Sequence, residues 1–227
     1  MKAMGVDACG KRGWVGILLV DGTYGGSMVE FRLDALIARV ADCDVIAVDM
    51  PLGLAESDWR AADLHARAFL GPARRNSVFL TPPRAVWDEP DYAAASDRCR
   101  SILGKGISRQ AYALGPKLRE ARTCWIADPK RIHEVHPEVS FQALAGGDPL
   151  PYAKKSWRGQ ALRRSLLAAA GILLPEALGE ADSVPPDDIL DAAAAAWSAQ
   201  RIASGRECCL PAVPEQDIDG RPVAIRY

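Results

Sequence analysis

The stretch Val45–Gly53, VIAVDMPLG, constrains this chain most. Four small apolar residues in succession, three of them β-branched, read as a buried strand. The run ends on an aspartate, and a lone carboxylate is costly to bury unless something pairs with it or coordinates it. Pro51 and Gly53 then turn the chain out of the strand. The fold therefore contains a sheet with a buried strand that delivers an acid at its end.

The rest of the pattern says what kind of sheet. Residues 3–8 and 13–20 read as two strands joined through CGKRG as a hairpin. Asp21-Gly22 and Gly25-Gly26 mark turns that lead to a third strand near Ser27–Phe31. Helical spacing follows at Leu33, Leu36, Ile37 and Val40, ahead of the strand Asp44–Asp49. Three strands in a meander, a helix and a further buried strand indicate an α/β fold with a sheet of mixed direction. From about Gly53 to Lys130 the chain is rich in Arg and Ala, with helical segments at 57–70, 90–103 and 108–127. This stretch reads as a helical insertion after the fourth strand. RIHEV, residues 131–135, alternates like a strand, and an amphipathic helix spans Gly159–Gly171. Two prolines and several acids open an alanine-rich helix from about 187 to 204, closed by Gly205. Val223–Arg226 is the best closing strand.

At 227 residues, 49% hydrophobic and 25% charged, the chain suits one domain with a sizeable core. Its 28 basic and 29 acidic side chains nearly cancel, so no global field marks a polyanionic partner. Six cysteines form no CxxC pair and no Cys/His cluster, which argues against structural zinc or a disulfide scaffold. No signal peptide or membrane span is evident, and a cytoplasmic protein is expected.

The chemistry lies in the acids. Asp7 ends the first strand and Asp49 ends the strand VIAVD, so neighbouring strand ends can bring both into one crevice. Asp188 and Asp191 project from one face at the start of a helix. Glu138 in HPEVSF, and Glu134 within the preceding strand, are further candidates. Oxygen ligands without a Cys or His cluster favour Mg²⁺ or Mn²⁺ over zinc. Two such ions about 4 Å apart can activate a water and stabilise the leaving oxygen in phosphodiester cleavage. Each acid also has a plainer role: turn former for Asp7, helix N-cap for Asp187 or Asp188, first-turn solvated residue for Asp191.

The order of these elements resembles the RNase H-like superfamily. The GVD first strand, VDMPLG and the helix opening DDILDAAAAA resemble the RuvC-type resolvases in particular. In that pattern one acid comes from strand one, one from strand four and a pair from the final helix. More closely, the chain is similar to the family called domain of unknown function 429, described as a predicted nuclease. The matching stretches are GVDACGKRGWVG, IAVDMPLGL, ARRNSVFLTPPR, EVHPEVSF, the Lys155/Gly159/Arg163 run and DDILDAAAAAW.

The resemblance implies an RNase H-like fold and a nucleic acid substrate, DNA or RNA, cleaved with Mg²⁺ or Mn²⁺ held by Asp7, Asp49, Asp188 and Asp191, with Glu138 assisting. It also gives ARRNSVFLTPPR a role: Arg74, Arg75 and Arg84, with Lys155, would position phosphates. The competing reading pairs these arginines with acids such as Asp88 and Glu89. Lys155, Arg158, Arg163 and Arg164 form a second basic cluster that reads equally as a solvated helix face. His136 is a candidate acid/base, or alternatively a backbone partner at a strand end. Two other functions fit the same fold. One is a nucleotide-binding ATPase or kinase relative, although ACGKRG lacks the hydroxyls of a phosphate loop. The other is a binding module that has lost its chemistry. The oligomeric state stays open, a homodimer included.

Overall fold

The computed structural model describes residues 1–227. Strands β1 (Lys2–Ala8), β2 (Trp14–Val20) and β3 (Thr23–Glu30) form an antiparallel meander, followed by α1 (Leu33–Ala38) and β4 (Val45–Val48). Helices α2 (Ala61–Arg74), α3 (Arg84–Trp87), α4 (Tyr92–Leu103), α5 (Arg109–Ala113) and α6 (Gly115–Ala127) then intervene before β5 (Ile132–Glu134). Helices α7 (Pro137–Leu144), α8 (Trp157–Ala169) and α9 (Pro186–Ala203) follow, and the chain closes with β6 (Cys209–Gln216) and β7 (Pro222–Arg226).

The main sheet has the order β3-β2-β1-β4-β5, with β4 and β5 running parallel to β1. Parallel neighbours need crossovers, and α1 and the α2–α6 insertion supply them. Alternation along β1 and β4 sends side chains to two different helical layers. Met4, Val6, Ile46 and Val48 pack with Leu33 and Leu36 of α1 and with Trp87, Leu118 and Trp125 of the insertion. Ala3, Val45 and Ala47 pack instead on Ala195 and Ala199 of α9, while Val15, Ile17 and Leu19 of β2 meet Phe141, Leu167 and Ala192–Ala194. Helix α2 stands apart from its insertion partners. Its Ala62, Ala66 and Leu70 pack on Val139 of α7 and on Val223 and Ile225 of β7.

Gly5 decides how closely α9 approaches. A Cβ at this position would lie 1.9 Å from the Ala196 nitrogen and 2.1 Å from the Ala192 oxygen, so only glycine admits the helix here. The alanine run of α9 is the matching half of that contact, because small side chains let the helix backbone rest on the strand.

Two details differ from the sequence expectation. Gly25-Gly26 does not turn the chain: it lies inside β3, where the register with β2 shifts between Leu18 and Leu19. The true turn is Asp21-Gly22, both at positive φ (49° and 85°), and the extra residue is absorbed as a bulge. The C-terminal strand forms a separate two-stranded sheet with β6, tied to the main sheet's end by a bridge between Val135 and Arg226. All six cysteines are free, and no helix is long and apolar enough to cross a membrane.

Candidate functional site

Val6 of β1 lies opposite Val48 of β4, and the Asp49 N–H donates to the Val6 carbonyl at 2.9 Å. Asp7 and Asp49 therefore leave adjacent parallel strands at the same end. Since Val6 faces the insertion layer, alternation turns Asp7 toward α9, the layer that Gly5 touches. On α9, Asp191 directly precedes Ala192, the residue beneath which Gly5 sits, and Asp188 lies three residues earlier on the same face. The strand–helix contact that needs Gly5 thus also delivers the α9 acids to the strand ends.

The electrostatics are those of carboxylates crowded together away from water. Burial, then Asp49, Asp191 and Asp188, hold the Asp7 carboxyl well above its usual range. Burial raises Asp49 to about 7, with Glu138 and Asp188 adding to the shift and Lys154 opposing it. Asp191, 3% exposed, is raised to about 6 by burial against the pull of Lys154. Half-buried Asp188 is raised by burial and by its neighbour Asp187. One cation answers this crowding: Lys154 Nζ donates to Asp191 Oδ2 at 2.6 Å. Despite the cost of burial, Asp191, with Asp7 and Asp49, holds this ammonium above its ordinary pKa. Asp191 Oδ1 is buried with no hydrogen-bond partner.

Two cavities meet at Asp49 and His136. One, of about 190 Å³, is lined by Asp7, Asp49, Asp63, Phe79, Glu134 and His136. The other, of about 530 Å³, is more polar, and Arg74, Glu138, Lys154, Lys155 and Asp191 line it with them. His136 precedes α7; its Nδ1 is buried without a partner, and burial lowers its pKa. Glu138, in the first turn of α7, is buried and ion-paired with Arg163, which is 0% exposed. Arg163 is thus no part of a solvated basic face. It joins α7 to α8 and also donates to the Tyr152 carbonyl at 3.3 Å.

The remaining predicted residues divide. Arg74 borders the larger cavity and donates through Nε to the Leu150 carbonyl at 2.8 Å, while Arg75 beside it is exposed. Arg84 opens α3 outside both cavities, with Asp88 at 3.9 Å, as the competing reading had it. Lys155 is mostly exposed and lies 3.5 Å from Asp187. Glu134 borders the smaller cavity, but its oxygens are engaged: it pairs with fully buried Arg60 and accepts the Leu52 N–H at 2.8 Å. Asp187 is not the N-cap of α9, a place taken by Pro185.

Sequence reasoning missed Lys154. The one local signal was Ser156, whose side chain accepts from the Gly159 N–H at 3.1 Å and caps α8 just after the two lysines. In this arrangement no three His, Cys, Asp or Glu side chains are set to hold a metal ion, and Lys154 supplies the positive charge at Asp191. Known proteins add one finding: a family model described as "Protein of unknown function (DUF429)" matches residues 5–216. No curated protein and no solved structure matches the chain.

Proposed function

The chain belongs to the DUF429 family, and from its site we propose that it is a metal-dependent phosphodiesterase that hydrolyses a nucleic acid. The observation that carries this reading is the meeting of acids from the ends of β1 and β4 with those that open α9. The sheet order β3-β2-β1-β4-β5, an antiparallel meander continued by parallel strands, agrees with the RuvC-type pattern and supports an RNase H-like fold.

By the chemistry of its donors, though not by their arrangement as they stand, the set suits Mg²⁺ or Mn²⁺. It offers oxygen ligands only, its acids are desolvated and mutually repelling, and Asp191 Oδ1 is buried without a partner. Asp7, Asp49, Asp188 and Asp191 would hold the ion, which requires their carboxylates to turn toward a common point. When bound, the ion supplies an activated water and neutralises charge developing on the phosphate. The chain's own groups do the rest. Arg74 and Lys155 line the larger cavity and exposed Arg75 adjoins Arg74, and there they would orient phosphate oxygens. His136 Nδ1, unpartnered and kept neutral by burial, is placed between the cavities to accept a proton. Glu138 is held by Arg163 next to Asp49, where its charge adds to the field that attracts a cation.

The test is cleavage of duplex DNA, branched DNA, single strands, RNA and RNA–DNA hybrid with Mg²⁺ or Mn²⁺, with Asp49→Asn and ATP turnover run alongside. Metal-dependent cleavage that Asp49→Asn abolishes is expected. No cleavage of any substrate, or equal cleavage by the variant, overturns the reading. ATP turnover without cleavage would point to the nucleotide-binding alternative.

A further inference from the structure

Lys154 is not a loose surface lysine that happens to reach an acid. The segment before α8 is fastened at three carbonyls within four residues. Leu150 O accepts from Arg74 Nε at 2.8 Å, and Tyr152 O accepts from buried Arg163 at 3.3 Å. Ala153 O accepts from both the N–H and the hydroxyl of Ser156, at 3.0 and 2.8 Å. Gly159 completes the clamp, because a Cβ there would lie 1.9 Å from the Ala153 oxygen. The residue that follows this fastened stretch is Lys154, with its ammonium on Asp191 Oδ2.

We propose that the Lys154 ammonium is a built-in second cation of the acid site, so that the chain holds one divalent ion beside it where two-ion sites hold a pair. Asp191 would then serve both charges, Oδ2 to the lysine and the unpartnered Oδ1 to the ion. A second divalent ion sharing Asp191 would have to expel an ammonium carried by a residue whose preceding segment is held at three carbonyls. A fixed ammonium also offers donors that a phosphate oxygen can use, at no cost in coordination geometry. This inference rests on the metal reading of the site, and it concerns how many ions the chain takes rather than what it cleaves.

The experiment is a calorimetric titration of the full chain with Mn²⁺, comparing wild type, Lys154→Met and Lys154→Arg, with circular dichroism to confirm folding. Wild type and Lys154→Arg are expected to take one Mn²⁺ per chain, and Lys154→Met two. Two ions on wild type, or one ion on Lys154→Met with unchanged affinity, overturns the inference. So does absence of binding by all three proteins. If only Lys154→Met binds Mn²⁺, the ammonium excludes the ion rather than accompanying it, and the inference fails together with the metal reading. One ion on wild type and two on Lys154→Met, with no nucleic acid cleaved, leaves this inference standing and removes only the nuclease reading.

Discussion

Gly5 of β1 lies directly against Ala192 of α9, at a separation that leaves no room for a side-chain carbon. Because Asp7 is two residues beyond Gly5 and Asp191 one residue before Ala192, this contact brings a strand acid and a helix acid together. Gly5→Ala is expected to push α9 off the sheet. All three atoms nearest such a Cβ are backbone atoms, so the cost should reach about 3 kcal/mol or more. Urea denaturation measures it, and a loss below about 0.5 kcal/mol would refute so close an approach.

The buried pair Glu138–Arg163 ties α7 to α8 and anchors the segment that carries Lys154. Removing one partner leaves a buried charge uncompensated, so Arg163→Met should cost about 3–5 kcal/mol. Adding Glu138→Leu to that variant should recover part of the loss. A double-mutant cycle with additive effects would contradict the pairing.

Asp49→Asn removes one of several repelling, partly buried carboxylates without changing its shape. In metal-free buffer it should raise stability by on the order of 1 kcal/mol, or about 2–4 °C in Tm, while lowering metal-dependent cleavage. A fall in Tm on calorimetric scanning would show that the carboxylate is well satisfied in the folded chain.

Arg75 and Arg84 should part company in nucleic acid binding. Arg75→Ala, next in sequence to the cavity-lining Arg74, should weaken binding to all sequences and reduce the slope of log K against log salt by about 1. Arg84→Ala, outside both cavities and beside Asp88, should change neither. Equal effects in a fluorescence anisotropy series would place the phosphate path elsewhere.

His133 gives a pH dependence away from the acid site. Burial, with Arg226 nearby, lowers its pKa from 6.5 to about 4, and Nε2 lies 3.1 Å from the Lys130 carbonyl. The unfolded chain therefore takes up a proton below about pH 6.5 that the folded chain refuses. Stability present above that pH is lost as pH falls toward 4, by no more than about 3 kcal/mol for this group. His133→Gln, which keeps an N–H donor, should show a smaller drop in urea midpoint between pH 7 and pH 4.5. An equal drop in both proteins would remove His133 as the cause.

What was legible in the sequence was the part governed by local periodicity and by positions along one element. Apolar runs located β1 to β4, and strand-end acids marked Asp7 and Asp49, while the helical reading of the insertion missed α3 and merged α5 with α6. The pair Asp188 and Asp191 could be placed on one helix face by spacing alone. Gly25-Gly26 misled because glycine serves a bulge as readily as a turn, and only the pairing partner across the sheet distinguishes them.

The tertiary structure decided everything that depends on which surfaces meet. Lys154 and Lys155 are identical in type and adjacent in sequence, yet the clamp on Leu150, Tyr152 and Ala153 accompanies one on Asp191 and the other facing solvent. Arg163 and Arg164 divide in the same way, one buried against Glu138 and one exposed. Glu134 and Glu138 are both acids near the end of one strand, but Arg60 and Leu52 occupy the first while the second stands beside Asp49. The sequence alone determined which residues carry charge and, for Asp7, Asp49, Asp188 and Asp191, the element on which each one lies. It could not determine their partners, because a charge's partner is fixed by packing between elements far apart in the chain. Here that packing turns on a glycine under an alanine helix.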